Sequence, residues 1–310
     1  MTAESPALGV DLGGSKIAVG LVDPGGRVLR RSVAPTPATE GRDAILATIR
    51  RLADEARADR PIVGIGIGSG GVIAGGVVTA GTGLLTGWVG TDLVGHFTRV
   101  FRGLGPQLVV TALNDVHAHG VGEAWCGAGA GRDHVLVVAA GTGLGGAVIE
   151  HGRPMTGAHG LAGHFGHIAS PAAVGLPCSC GATGHLEAIS SGYGIVQLYR
   201  SIGGDPTVTE AREVAGRSGF DGYADRAMQK SADALGAAVG DLVNIVDPDV
   251  VIISGGVAGA GTLWWNTLRA AAASAALPLV AETPIVPAQL GADAGIIGAA
   301  RCTRDAVAAR

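Results

Sequence analysis

Between His167 and His185 the chain gathers two cysteines, Cys178 and Cys180, and two histidines, with a carboxylate, Glu187, two positions further on. Two thiolates and two imidazoles are a donor set suited to a tetrahedral Zn²⁺ ion. Gly181 and Gly184 are interleaved with them, and glycine permits the reversals that bring such donors together. Four protein ligands leave no open position for water, so a metal held there is structural.

A second group of residues has phosphate chemistry in its pattern. Three glycine turns each follow a buried-looking apolar strand: Asp11-Leu-Gly-Gly-Ser-Lys16, Gly141-Thr-Gly-Leu-Gly-Gly146 and Ser254-Gly-Gly256. A glycine turn at a strand end lets backbone N–H groups approach phosphate oxygens with no Cβ in the way. None of the three is a P-loop. The residues after the second, Ala147-Val-Ile149, read as strand, whereas a dinucleotide fingerprint requires a helix there. The Asn114-Asp115 pair stands where a strand enters a helix. It fits an N-cap. It also fits a general base, because an ordinary Asp is ionised at neutral pH and can accept a hydroxyl proton.

The elements that must position these residues are legible as apolar runs. Ala7 to Val10 and Ile17 to Val22 read as strands flanking the first turn, as do Pro61 to Ile67, Gln107 to Ala112, His134 to Ala139 and Val250 to Ile253. Helical spacing marks residues 42–56 through Ile45, Leu46, Ile49 and Leu52, then residues 116–125, and a stretch from Ser231 through Leu235, Val239, Leu242, Val243 and Val246. Asp247-Pro248 ends that last helix. Strands alternating with helices imply an α/β protein, and 310 residues suggest two lobes. The boundary is placed before Asn114, giving a first lobe of residues 1–113 and a second of 114–291, with a helix over about 292–310 returning to the first. A net charge of −4 offers no electrostatic case for nucleic acid or an anionic membrane. No 18-residue apolar run and no basic leader are present, so the expectation is a cytoplasmic protein. With two of four cysteines in the cluster, a disulfide framework is not expected.

The run Cys178-x-Cys180-Gly181-x-x-Gly184-x-x-Glu187 resembles the zinc signature of the ROK family of sugar kinases and repressors. His185 stands where that family usually has a third cysteine. The three glycine turns, in this order, resemble those of the wider actin-like ATPase superfamily. The resemblance implies a two-lobed, ribonuclease H-like fold whose lobes close over ATP, with a zinc-binding loop. It implies that Asp11 binds Mg²⁺ through water and that the Gly13, Gly14, Ser15 and Lys16 turn and the Gly141, Thr142 and Gly143 turn hold phosphates. Gly255 and Gly256 would form the adenosine loop.

The acceptor would be a sugar. Asn114 would bind its hydroxyl and Asp115 would act as base, with further contacts from His167 and Glu187 and from Gly71 and Thr82. Zinc on His167, Cys178, Cys180 and His185 would hold the loop in shape. The segment Gly160-Leu-Ala-Gly-His-Phe-Gly-His167 is most similar to bacterial N-acetylmannosamine kinases, with His164 where ROK glucokinases carry Glu. The implied activity is ATP-dependent 6-phosphorylation of a hexose or N-acetylhexosamine, N-acetylmannosamine ahead of glucose. The implied assembly is a homodimer. Two readings of another class are a sugar sensor without turnover and a repressor. The repressor is the less expected of these, since Asp11 stands close to the start of the given sequence, where such repressors carry a DNA-binding helix-turn-helix, and the chain is not basic.

Overall fold

The computed structural model describes residues 5–81, 83–105 and 107–310, so Thr82 lies outside the described residues. In chain order the elements are β1 (Ala7–Leu12), β2 (Lys16–Val22), β3 (Val28–Pro35), α1 (Arg42–Arg57), β4 (Gly64–Ser69), β5 (Val72–Ala74), β6 (Val77–Ala80), α2 (Leu93–Val100), β7 (Val109–Asn114) and α3 (Asp115–Cys126). There follow β8 (His134–Ala140), β9 (Leu144–Glu150), β10 (Arg153–Pro154), α4 (Glu187–Ser190), α5 (Gly192–Ser201), α6 (Ala211–Gly216), α7 (Gly222–Val246), β11 (Val250–Ser254), α8 (Thr262–Ala275), β12 (Ile285–Pro287) and α9 (Ala294–Ala308). Two compact units result: Met1–Gly131 with Ile149–Ala162 and Gln289–Arg310, and Arg132–Val148 with Gly163–Ala288.

In the first unit one sheet has the order β3-β2-β1-β4-β7. β1 is antiparallel to β2 and parallel to β4, which is parallel to β7. The apolar stripe of α1, including Ile45, Ile49 and Leu52, shares a core with Leu8, Val10, Ile65, Ile67 and Phe97. Each such aliphatic side chain contributes about 1.5–3 kcal/mol through burial. α9 crosses β1 and β4 at backbone distance, because a Cβ at Gly9 would overlap the Ile296 carbonyl and one at Gly66 the Ala299 carbonyl. The same closeness joins α9 to α3, through Gly298 against Ala118 and Gly122 against Ala294. Placing the lobe boundary before Asn114 therefore differs from the division observed. The chain stays in the first unit to Gly131, since α3 is packed onto α9.

The second unit repeats the theme. Its sheet runs β9-β8-β11-β12, with β11 parallel to both β8 and β12. In each sheet a hairpin is followed by two parallel strands on the side of its first strand. Leu136, Val138, Val251 and Ile253 form a core with Leu235, Val239, Trp264 and Leu268. α7 starts at Gly222, nine residues before Ser231, because Asp221 caps it by accepting from the Tyr223 and Ala224 N–H groups. It ends at Asp247, which is left-handed at φ 49° ahead of Pro248. No helix among the described residues is long and apolar enough to cross a membrane.

Candidate active site and metal centre

β1 carries Asp11 to the mouth of the first glycine turn. Asp11 faces Ala18 and Leu12 faces Ile17 across the hairpin, so Gly13, Gly14 and Ser15 make the reversal. The Gly13 N–H donates to the Lys16 carbonyl at 3.0 Å, and the Thr36 hydroxyl donates to the Gly13 carbonyl at 2.7 Å. Lys16 is exposed at the start of β2. The Asp11 carboxyl lies against Gly295, in the first turn of α9, where a Cβ would crowd it at 2.9 Å.

β7 ends at Asn114, and α3 begins on Asp115. Asn114 is the N-cap: its Oδ1 accepts from the Val116 and His117 N–H groups at 2.9 and 3.2 Å, and its Nδ2 donates to the Gly71 carbonyl at 3.0 Å. The cap leaves a site role open, since it fixes the backbone that carries Asp115. Asp115 Oδ1 accepts from the Val116 N–H at 2.9 Å. Burial raises the Asp115 carboxyl above the ordinary Asp range, against the pull of its backbone hydrogen bonds and of His117. Burial also raises Asp11, to about 6, with the Asp115 charge adding to the rise and Lys16 and Arg31 opposing it. The ordinary Asp expected at position 115 is therefore corrected, because the fold withdraws it from water. Asp115, Gly14, Gly70, Gly71, Leu12 and Trp88 line a cavity of about 250 Å³. Trp88 is held there by donating its Nε1–H to Ser69 Oγ at 3.0 Å. No motif or spacing marks Trp88 as a lining residue of this cavity.

The other two glycine turns meet in the second unit. Gly141, Thr142 and Gly256 line one cavity of about 590 Å³ with Tyr193, Thr209 and Arg212. Gly14, Gly141 and Gly256 share a property. None has a left-handed backbone, and a Cβ at any of them would meet no protein atom within 4 Å. Neither packing nor conformation demands glycine at these positions, and the bare backbone leaves room for a ligand to approach its N–H groups. Gly255 and Gly143 differ. Gly255 has φ 85° and lies against the Ala140 carbonyl, while a Cβ at Gly143 would stand 2.8 Å from Glu187 Oε2. Tyr193, Thr209 and Arg212 carried no spacing that could have flagged them, because α5, α6 and the loop before α6 bring them to the cavity from separate segments.

The Cys/His segment folds as expected from its glycines. Gly181 and Gly184 are left-handed at φ 89° and 83°. Cys178 N–H donates to the Ala182 carbonyl at 2.8 Å and Gly184 N–H to the Leu176 carbonyl at 2.9 Å, closing the loop. Gly163 and Gly166 press the preceding segment onto the backbone of β9, at Gly146 and Leu144, which places His164 and His167. One potential ligand atom from each of His167, Cys178, Cys180 and His185 lies within 4.8 Å of the others. The Cys178 Sγ–His167 Nδ1 and Cys180 Sγ–His185 Nδ1 separations are 3.5 and 3.2 Å. Metal–donor bonds of about 2.0–2.3 Å in a tetrahedron give donor separations of about 3.3–3.8 Å, so one of the two separations lies inside that range and the other just short of it, and the donor set is compatible with a zinc ion. His185 reaches the cluster although its side chain differs from the usual thiolate. The His164 ring is stacked 6.2 Å from that of His167. Glu187 is buried at the start of α4.

Comparison with known proteins follows the same lines. The model of the ROK family matches residues 7–306. The chain is 31% identical over 317 residues to a glucokinase of Thermotoga maritima, covering 97% of this chain and 98% of that one. It is 32% identical over 305 residues to an N-acetyl-D-glucosamine kinase of Pectobacterium atrosepticum, covering 94% and 97%. Its structure matches a ROK family glucokinase from Streptomyces griseus, solved in complex with glucose and AMPPNP, with a TM-score of 0.80 at 28% identity, over 97% of this chain and 99% of that one. With that match running nearly end to end, this chain is a member of the ROK family.

Proposed function

We propose that this protein transfers the γ-phosphoryl group of ATP to the 6-hydroxyl of a hexose or N-acetylhexosamine, with N-acetylmannosamine as the favoured acceptor. The observation that carries the reading is Asp115, a half-buried carboxylate in the first turn of an Asn114-capped helix, on the wall of a cavity it shares with Gly14 of the first glycine turn. In the proposed step the sugar is held by Asn114 and by His164, His167 and Glu187, and Gly71 supplies a further contact. Asp115 accepts the 6-hydroxyl proton as that oxygen attacks the γ-phosphorus. A carboxyl raised by burial is a stronger base than an ordinary one once ionised. The glycine turns position phosphate oxygens by backbone N–H groups, and Thr142 adds a hydroxyl. Mg²⁺, when bound near Asp11, neutralises charge on the phosphates. Zinc on His167, Cys178, Cys180 and His185 would be structural.

The preference for N-acetylmannosamine rests on His164, since a neutral imidazole both donates and accepts, while an ionised Glu only accepts. Glucose is the second reading, favoured by the glucokinase of Thermotoga maritima. A cytoplasmic homodimer completes the proposal.

The Asp115→Asn variant tests the base. It should lose roughly 10²–10⁴-fold in kcat while sugar affinity measured by calorimetry stays within a few fold. Retained turnover would remove Asp115 from the chemistry.

A further inference from the structure

Glu187 touches both the 141–143 glycine turn and the Cys/His loop. Its Oε2 accepts the Leu144 N–H at 2.9 Å, the first amide after the Gly141-Thr142-Gly143 turn. Its Oε1 accepts the Ser179 hydroxyl, and the Cys178 thiol lies 3.6 Å from the same oxygen. Ser179 is the residue between the two cysteines of the metal cluster. The carboxylate is pressed onto the turn, since no side chain fits at Gly143. The segment beginning with Glu187 also reaches back to the turn at its far end, where Gly192 N–H donates to the Gly141 carbonyl at 2.7 Å and Tyr193 N–H to the Thr142 carbonyl at 3.4 Å. Three hydrogen bonds from one short stretch thus fix the turn, and the first of them is anchored on the Cys/His loop. All of these groups belong to the second unit.

We propose that Glu187 is a positioning residue that couples metal occupancy of the Cys/His loop to the shape of the 141–143 phosphate turn, with Ser179 as the relay between them. The inference rests on the reading of that turn as a phosphate site. Its physical content is a short chain of charge-assisted bonds. Cys178 and Cys180, if holding a zinc ion as thiolates, would fix the backbone on both sides of Ser179, and with the Cys178 S–H proton gone the Ser179 hydroxyl would be the loop's donor to Glu187. Glu187 so held keeps the Leu144 N–H, and with it the turn, in one geometry. A stripped loop releases Ser179, and the turn must be ordered at the expense of nucleotide binding. Because the coupling is thermodynamic, nucleotide must in return tighten zinc.

The test omits sugar, so any direct contact of Glu187 with the acceptor drops out. Mg·ADP affinity is measured by calorimetry for the wild type, Glu187→Gln and Ser179→Ala, each loaded with Zn²⁺ and each stripped and dialysed free of chelator. The release of Zn²⁺ to a chromogenic chelator is followed with and without Mg·ADP.

The wild type should bind Mg·ADP about fivefold or more tightly when loaded, and Mg·ADP should tighten its Zn²⁺ by the same factor. In Glu187→Gln the factor should fall towards one while the full zinc content is kept. Ser179→Ala, a smaller change, should reduce the factor without altering the fold. An unchanged factor in both variants, or equal Mg·ADP affinity of loaded and stripped wild type, overturns the coupling and leaves the phosphate reading intact. Absence of Mg·ADP binding in every state overturns the phosphate reading, and the coupling with it.

Discussion

At the scale of single residues, the chemistry is set by what burial does to carboxylates. Asp11 and Asp115 are both raised by burial, and the charge of Asp115 lifts Asp11 further. For Asp11 the folded value of about 6 stands above the ordinary 3.8, so its protonated form favours the folded state. The stability it contributes is complete below about 3.8 and is lost as pH rises through about 6. Mg·ATP should have the opposite dependence, since an ionised Asp11 favours the cation. Its affinity is expected to fall by up to about tenfold per pH unit below 6 and to lose that slope in Asp11→Asn, as titration calorimetry between pH 5 and 7.5 would reveal. A wild-type affinity independent of pH would separate Asp11 from the metal. The proposed acceptor preference turns on position 164. His164→Glu should move the ratio of kcat/KM for glucose over N-acetylmannosamine upward by roughly tenfold or more, and an unmoved ratio would place specificity elsewhere.

At the scale of elements, the helix packing that aims Asp115 depends on one buried carboxylate. Glu123 of α3 is fully buried and accepts from the N–H groups of Ala128, Gln289 and Leu290, at 3.0, 3.1 and 2.8 Å. The last two belong to the segment leading into α9, so this carboxylate holds α9 against α3. Glu123→Ala leaves three N–H groups without their acceptor and should destabilise the protein by roughly 3 kcal/mol or more, measured by urea unfolding. A loss under 1 kcal/mol would mean that the glycine contacts of Gly122 and Gly298 suffice. Glu123 could not be singled out in the sequence, since two of its three partners lie more than 160 positions away. The early turns of α7 were hidden for another reason. Ala224, Ala227 and Ser231 bury a face of small residues against neighbours, and small side chains give weak periodicity. The elements with strong periodicity, α1 and the strands ending in glycine turns, were legible within a few residues.

At the scale of the whole molecule, the sequence carried the composition of each site and the fold carried their grouping. The spacing of Cys178, Cys180 and His185 foretold the cluster because all three lie in one loop, and the added His167 is brought in by a single short segment. The three glycine turns were equally visible, but which of them share a cavity was not. Gly141 and Gly256 meet because β8 and β11 are adjacent parallel strands. Gly14 shares its cavity with Asp115 and Trp88 because β1, β4 and β7 lie side by side. The Ser179–Glu187–Leu144 chain was invisible at this scale, since a serine between two cysteines reads as filler until the loop is folded.

The central claim is sugar phosphorylation, and ADP release from the purified protein with Mg·ATP tests it most directly. N-acetylmannosamine, N-acetylglucosamine, glucose and mannose are compared at equal concentration. Turnover with a clear preference for N-acetylmannosamine is the result expected here, and no turnover above the sugar-free rate with any of the four would contradict it.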